Sequence, residues 1–188
     1  MKKWKSLFFV LLALNVIAAA VIVTLLVMPG EQAKIQQDQT KSEYGFHITS
    51  SKESLARFVN AYLKEKASNQ LDYKVDINND VHVAGKIKAF STSINAVVTF
   101  EPSVQENGDV ILKVTKFSLG ELSLPISFVL NYMDSFYELP SFVHVHSGDK
   151  SIEIRLSEMP LDNGMYVKAD KINLDTDEIE FSYYHPKQ

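Results

Sequence analysis

Cysteine is absent from the 188 residues. That excludes disulfides, thiolate metal sites, thiol catalysis and a lipid-modified cysteine anchor. Acidic residues are absent from residues 1–28, where Lys2, Lys3 and Lys5 are the only charges. Removing those three lysines from the 19 basic residues leaves 16 against 23 acidic ones, a net charge of −7 over residues 29–188. A segment that acidic lacks the basic footprint that phosphate backbones need, so no nucleic-acid partner is expected. The chain also lacks G-x-S-x-G, H-E-x-x-H and P-loop patterns, and no serine sits between two glycines. No catalytic residue, no cofactor and no enzymatic activity are therefore expected.

Charge is missing altogether from Leu7 to Met28, a run of 22 residues whose only polar side chains are Asn15 and Thr24. At ~1.5 Å per residue it spans about 33 Å, enough for a hydrocarbon core of roughly 30 Å. The lysines before it keep residues 1–6 in the cytoplasm and send the carboxy-terminal part of the chain outward. Trp4 sits where an interfacial aromatic belongs. A cleaved signal peptide would use Ala18-Ala19-Ala20, after the 11-residue apolar stretch Leu7–Ile17. The product would then begin Val21-Ile22-Val23 with greasy residues exposed, and the apolar run is too long for an ordinary signal. The expectation is an uncleaved transmembrane helix over 7–28.

Residues 29–43 are polar and rich in glutamine, with little to bury, and read as a juxtamembrane linker. Residues 44–188 show no repeat and no further break in composition, so one extracytoplasmic domain is expected there. Ser50 and Glu53 have the spacing of a capping box. Leu55, Phe58, Val59, Tyr62 and Leu63 then recur along one helical face. Alternating runs come next: Leu71–Ile77, Val81–Ala89, Ile94–Phe100 and Val110–Leu119. Asn107-Gly108 marks a hairpin. A slip of phase near Thr115-Lys116 marks a bulge.

Residues 125–138 break the two-residue period. Ile126, Val129, Leu130, Met133, Phe136 and Tyr137 fit a helix stripe that opens on Pro125. Two hairpins close the chain, turning at Ser147-Gly148-Asp149 and at Asp175-Thr176-Asp177. The fold expected is α+β: a long curved antiparallel sheet of about eight strands packed on two helices.

His144 and His146 project to one face of a strand, but no third ligand accompanies them, so no metal site is expected. They read as solvent-facing imidazoles, with Val143 and Val145 supplying the core. Glu153, between Ile152 and Ile154, reads as solvent-facing too. His47, His82 and His185 read as surface residues. Asp170, Asp175, Asp177 and Glu178 lack the central glycine of a calcium loop and read as turn residues.

The more informative feature is surplus apolar surface on the second helix. Phe128 and Tyr132 fall outside the stripe that one sheet would cover. A curved sheet that stands off from its helices would leave an apolar groove for an acyl chain, where each buried CH₂ contributes roughly 0.8 kcal/mol. The expected walls of such a groove are Phe58, Tyr62, Phe128, Val129, Tyr132, Met133, Phe136 and Tyr137. The partners expected are the membrane and a lipid or lipid-linked polymer. The competing expectation is a non-catalytic scaffold that docks a cell-envelope enzyme, with the helix as ordinary core.

The opening MKKWKSLFFVLLALN, the segment VHVAGKIKAFSTSI and the stretch KVTKFSLGELSLPISFVLNYMDSFYELP together resemble the YpmS family over essentially the whole chain. The resemblance implies a small single-pass membrane protein of Gram-positive bacteria with its domain outside the cell membrane, and it brings no catalytic residues. Gly120, Leu122, Leu124 and Pro125 also stand at a turn similar to that of tubular lipid-binding and AsmA-like domains, where a curved sheet wraps a helix around lipid. That likeness is architectural.

Overall fold

The structure, a computed structural model, describes residues 11–17, 20, 44–66, 73–89, 92–120, 125–136, 139–161 and 164–185. Residues 11–17 and Ala20 are helical. The rest of the expected 7–28 span and the 29–43 linker lie outside the described residues. Among the described residues no helix is long and apolar enough to cross a membrane.

Among the described residues, nine strands and two α-helices make up the α+β domain. In chain order they are β1 (Tyr44–Ser50), α1 (Lys52–Lys66), β2 (Tyr73–Ile77), β3 (Val81–Ala89), β4 (Thr92–Val104), β5 (Val110–Leu119), α2 (Ile126–Phe136), β6 (Val143–His146), β7 (Ser151–Ile154), β8 (Tyr166–Asn173) and β9 (Glu178–His185). A short 3-10 turn, Leu156–Glu158, lies between β7 and β8. The strands do not form the single long sheet expected. They form a six-stranded sheet, ordered β2-β3-β4-β5-β7-β6, and a three-stranded sheet, ordered β1-β9-β8, antiparallel throughout.

The bulge expected on β5 is present. Thr99 pairs with Lys116 and Phe100 with Val114, which leaves Thr115 over. Its hydroxyl donates to the Thr99 carbonyl at 3.2 Å. The extra residue swings Val114 and Phe117 to the same inner face despite their odd spacing. The β4–β5 hairpin turns at Gly108, whose φ of +87° suits glycine. No side chain fits there for a second reason: a Cβ would meet Lys168 Cβ at 2.5 Å.

Three contacts tie the two sheets and α1 together. Ala169 N–H donates to the Gly108 carbonyl at 2.8 Å. Asn79 Nδ2 reaches Asp175 Oδ1 at 3.4 Å, joining two turns. The third is the cap of α1. Lys52 N–H donates to Asp177 Oδ1 at 2.7 Å, and Lys52 Nζ donates to the Leu174 carbonyl at 2.7 Å. Ser51 Oγ accepts from Ser54 N–H at 3.2 Å. The Ser50–Glu53 capping box is thus corrected. Ser50 is the last residue of β1, paired with Ile179, so the cap shifts one position along the chain and is completed from a distant turn. Glu53 instead pairs with Arg57 at 3.1 Å.

Between the sheets and the helices lies the larger apolar core: Val75, Ile77, Val81, Phe100, Val114, Leu130, Val145, Ile152, Leu174 and Ile179; a second, smaller cluster joins Val110, Leu156 and Ala169. Leu55, Ala56, Val59 and Leu63 of α1 and Ile126 and Met133 of α2 pack against it. Helix α1 lies along β2, one edge of the large sheet. Its Asn60 satisfies both backbone groups of Val75, with Nδ2 donating to the carbonyl at 2.7 Å and Oδ1 accepting from N–H at 2.9 Å. Tyr62 of the same helix meets the ring of Phe142, just before β6, at 6.3 Å between centroids. Since β2 and β6 are opposite edges, the six-stranded sheet is bent far enough that one helix touches both sides.

Candidate functional site

The helices use their apolar residues in two ways. On α2, the stripe Ile126, Leu130 and Met133 faces the core, and Leu130 is only 2% exposed. Spacings of four and three residues keep these on one side. Val129, Phe128 and Tyr132 fall on the flank beyond it. Val129 and Phe128 are half-buried and Tyr132 is 43% exposed. On α1, Phe58 and Tyr62 are one turn apart on a flank of the core stripe. Tyr62 is half-buried against Phe142, and Phe58 is 63% exposed.

Of the expected groove residues, Met133 packs into the core. Phe58, Tyr62, Phe128, Val129 and Tyr132 stand on the rims of the two helices. Phe136 is the last residue of α2, and Tyr137 lies outside the described residues. Ile126, Leu130 and Met133 set one side of α2 against the core, and Phe128, Val129 and Tyr132 lie on its flank.

A second feature is not legible as such in the sequence. His146, Glu153, Arg155, Glu158, His144 and Asp109 form a polar cluster on the face of β6–β7 opposite the apolar core. His146 Nε2 lies 2.9 Å from Glu153 Oε2, with the two side chains 6% and 2% exposed. Arg155 donates to the same oxygen at 3.1 Å and to Glu158 at 3.3 Å. His144 Nε2 lies 3.5 Å from Glu158 Oε2. The expectation of solvent-facing His144, His146 and Glu153 is corrected: His146 and Glu153 are buried and His144 is half-buried. Alternation on β6 and β7 does place them away from Val145 and Ile152. Arg155 follows on the same face and donates to Glu153, and its backbone N–H extends the β6–β7 ladder to the Phe142 carbonyl at 2.8 Å.

Burial acts to raise the Glu153 carboxyl, but the hydrogen bonds from His146 and Arg155 outweigh it and hold the group below its ordinary value. The ionised carboxylate only accepts, so His146 Nε2 carries the proton between them. Asp109 goes the other way. Burial and the nearby Glu153 charge raise it, against the Asn107 side chain, the Leu156 backbone and Arg155. Among the described residues, the buried side-chain atoms without a hydrogen-bond partner are Asp109 Oδ1, His144 Nε2, His146 Nδ1 and Arg155 Nε, all in this cluster. No group of three or more His, Asp or Glu side chains among the described residues converges to hold a metal ion.

The other histidines are as exposed or half-exposed as expected. His47 Nδ1 lies 2.8 Å from Ser182 Oγ, and Ser182 donates to Asp170. This resembles a hydrolytic triad in composition only. Ser182 is fully buried, and its proton is directed at the carboxylate and not at the imidazole. Asp170, Asp175, Asp177 and Glu178 are engaged separately, by Ser182, Asn79, Lys52 and Lys171.

The family described as "Uncharacterized protein conserved in bacteria (DUF2140)" matches residues 2–185. The chain is 76% identical over 188 residues, the full length of both, to "Uncharacterized protein YpmS" of Bacillus subtilis (strain 168). No solved structure matches it significantly. The chain belongs to the DUF2140 family.

Proposed function

We propose that this DUF2140 domain is a non-catalytic module, held outside the cell membrane by its apolar amino-terminal run, that binds a lipid or lipid-linked envelope polymer along the flanks of α1 and α2. The observation that carries the reading is the apolar surface those helices retain after the core is complete. Phe58 and Tyr132 stand 63% and 43% exposed although Leu130 of α2 is sealed. Isolated exposed apolar residues are ordinary. Here they sit on helices that already fill their core, and Phe128, Val129 and Tyr62 extend the same flanks.

An acyl chain laid along such a surface gains roughly 0.8 kcal/mol per methylene buried and needs no dedicated polar group. The 22-residue uncharged run Leu7–Met28 would place the domain within a linker's length of a supply of acyl chains. The buried His146–Glu153–Arg155 cluster supports a binding module over an enzyme, because its unpartnered nitrogens, His146 Nδ1 and Arg155 Nε, are closed to solvent.

The test uses the full chain purified in detergent and titrated with a phospholipid carrying a fluorescent acyl chain. Saturable binding that falls at least tenfold in the Phe58→Ser/Tyr132→Ser double variant, with circular dichroism unchanged, is the expected result. Binding that is absent, or equal in the variant, removes the lipid reading. Lipid-independent capture of an envelope enzyme would favour the scaffold.

A further inference from the structure

The two sheets present four edges, and three are protected. On β2, Asn60 of α1 occupies the backbone groups of Val75. Strand β6 has only four residues. Strand β8 is broken by a register shift between Ala169 and Lys171, carries Lys168, Asp170 and Lys171, and bonds Ala169 N–H to Gly108. Short length, bulges, charges and covering segments are the usual devices against edge-to-edge pairing.

Among the described residues, strand β1 has none of these. It runs seven residues in unbroken register with β9, from Tyr44↔His185 to Ser50↔Ile179. It contains no Lys, Arg, Asp, Glu or Pro, and residues 45–49 are exposed. Every second residue turns its N–H and C=O away from β9. Phe46 and Ile48, on one face, are 72% and 51% exposed, the former the most exposed large apolar residue among those described.

We propose that β1 pairs with β1 of a second copy of this chain, in antiparallel register centred on His47, to form a continuous six-stranded sheet across a twofold axis. His47 is the middle residue of the strand, so the pairing sets Phe46 against Ile48 of the other copy, and the reverse. Directly opposed residues of an antiparallel pair share a face, so both apolar pairs meet side by side on the same face. An identical strand fits because β1 holds no Lys, Arg, Asp or Glu to oppose itself. A twofold contact needs that self-complementarity. The chain outside the described residues adds an argument. The polar linker 29–43 joins the 22-residue apolar run directly to β1, so copies held in one bilayer would present this strand to each other at the same height. This placement rests on the membrane anchor proposed above; the lipid reading is not required, since its residues lie on α1 and α2.

The test uses the full chain in detergent, with mass measured by light scattering, and the absence of native cysteine. The wild type is expected to be dimeric, and Phe46→Lys/Ile48→Lys to be monomeric with unchanged circular dichroism and lipid binding. In membranes under mild oxidation, Phe46→Cys mixed with Ile48→Cys is expected to give a covalent dimer, while Asn79→Cys, in an exposed turn, gives none. A monomeric wild type, a dimer indifferent to the lysines, equal cross-linking at position 79, or a lysine-sensitive complex with a different protein would each overturn the proposal.

Discussion

Glu153 Oε2 lies 2.9 Å from His146 Nε2 and 3.1 Å from an Arg155 amino nitrogen, and the carboxylate side chain is 2% exposed. One buried anion thus holds two donors on the outer face of the β6–β7 hairpin. Such a group does more damage when half removed than when absent, because its partners are left buried without a counter-charge.

The Glu153→Gln variant is expected to lose about 3–5 kcal/mol of stability near neutral pH, the usual loss when one member of a buried pair is neutralised. The wild-type pH dependence is set by the lowered Glu153 value. A carboxyl whose folded value lies below its unfolded one adds stability above the unfolded value, and that stability drains away as pH falls through the folded value. Urea midpoints between pH 7 and pH 3 should therefore fall more steeply for the wild type than for the variant. Parallel curves would contradict this assignment.

Asp109 has the opposite sign. Its raised value means that its contribution is greatest below the unfolded carboxyl range and is lost as pH rises through the folded value. Asp109→Asn should unfold later than the wild type at pH 7 and show no such advantage at pH 4. Thermal melts at the two pH values check this. A variant weaker at both would show that the charge is needed by Arg155 more than burial disfavours it.

Asp177 combines a helix cap with a positive φ of 58°. Asp177→Asn keeps an acceptor oxygen and tolerates that backbone, so it should stay within about 0.5 kcal/mol of the wild type. Asp177→Gly relieves the backbone but removes the cap from Lys52, and should lose about 1 kcal/mol. Asp177→Ala does neither and should be the weakest. Equal melting temperatures across the three would mean that the cap on α1 contributes nothing.

At Gly108, alanine meets two obstacles: a φ of +87° and the Lys168 side chain 2.5 Å from where its Cβ would stand. Gly108→Ala is expected to cost about 1–3 kcal/mol, measured by chemical unfolding. It should also raise amide exchange at Ala169, whose N–H is bound to the Gly108 carbonyl. Destabilisation without faster exchange at Ala169 would place the strain in the hairpin and not in the junction between sheets.

Much of the fold is local enough to be read in order along the chain. The alternation of Val81–Ala89 and Val110–Leu119, the Asn107-Gly108 turn and the helix opening on Pro125 each depend on neighbours a few residues away. Even the bulge at Thr115 is visible, because the phase of the apolar residues slips there. Strand β1 is not. Tyr44–Ser50 is a strand because β9 supplies its partner, about 130 residues further on. The groove residues are only half legible. Helical spacing separates Phe128 and Tyr132 from the core stripe, but the spacing cannot say which flank the sheet leaves open.

The sequence by itself determined which residues could share a face, where the chain turns, and that residues 7–28 carry no charge while the rest is acidic. Those are consequences of covalent periodicity and composition. Only the tertiary structure decided that the nine described strands divide into two sheets, that Asp177 caps a helix 125 residues away, and that Arg155 and His146 meet on the buried Glu153 carboxylate. Alternation assigns a side chain to one face of a strand. Whether that face meets water depends on distant segments, and their approach is fixed by packing and not by spacing along the chain.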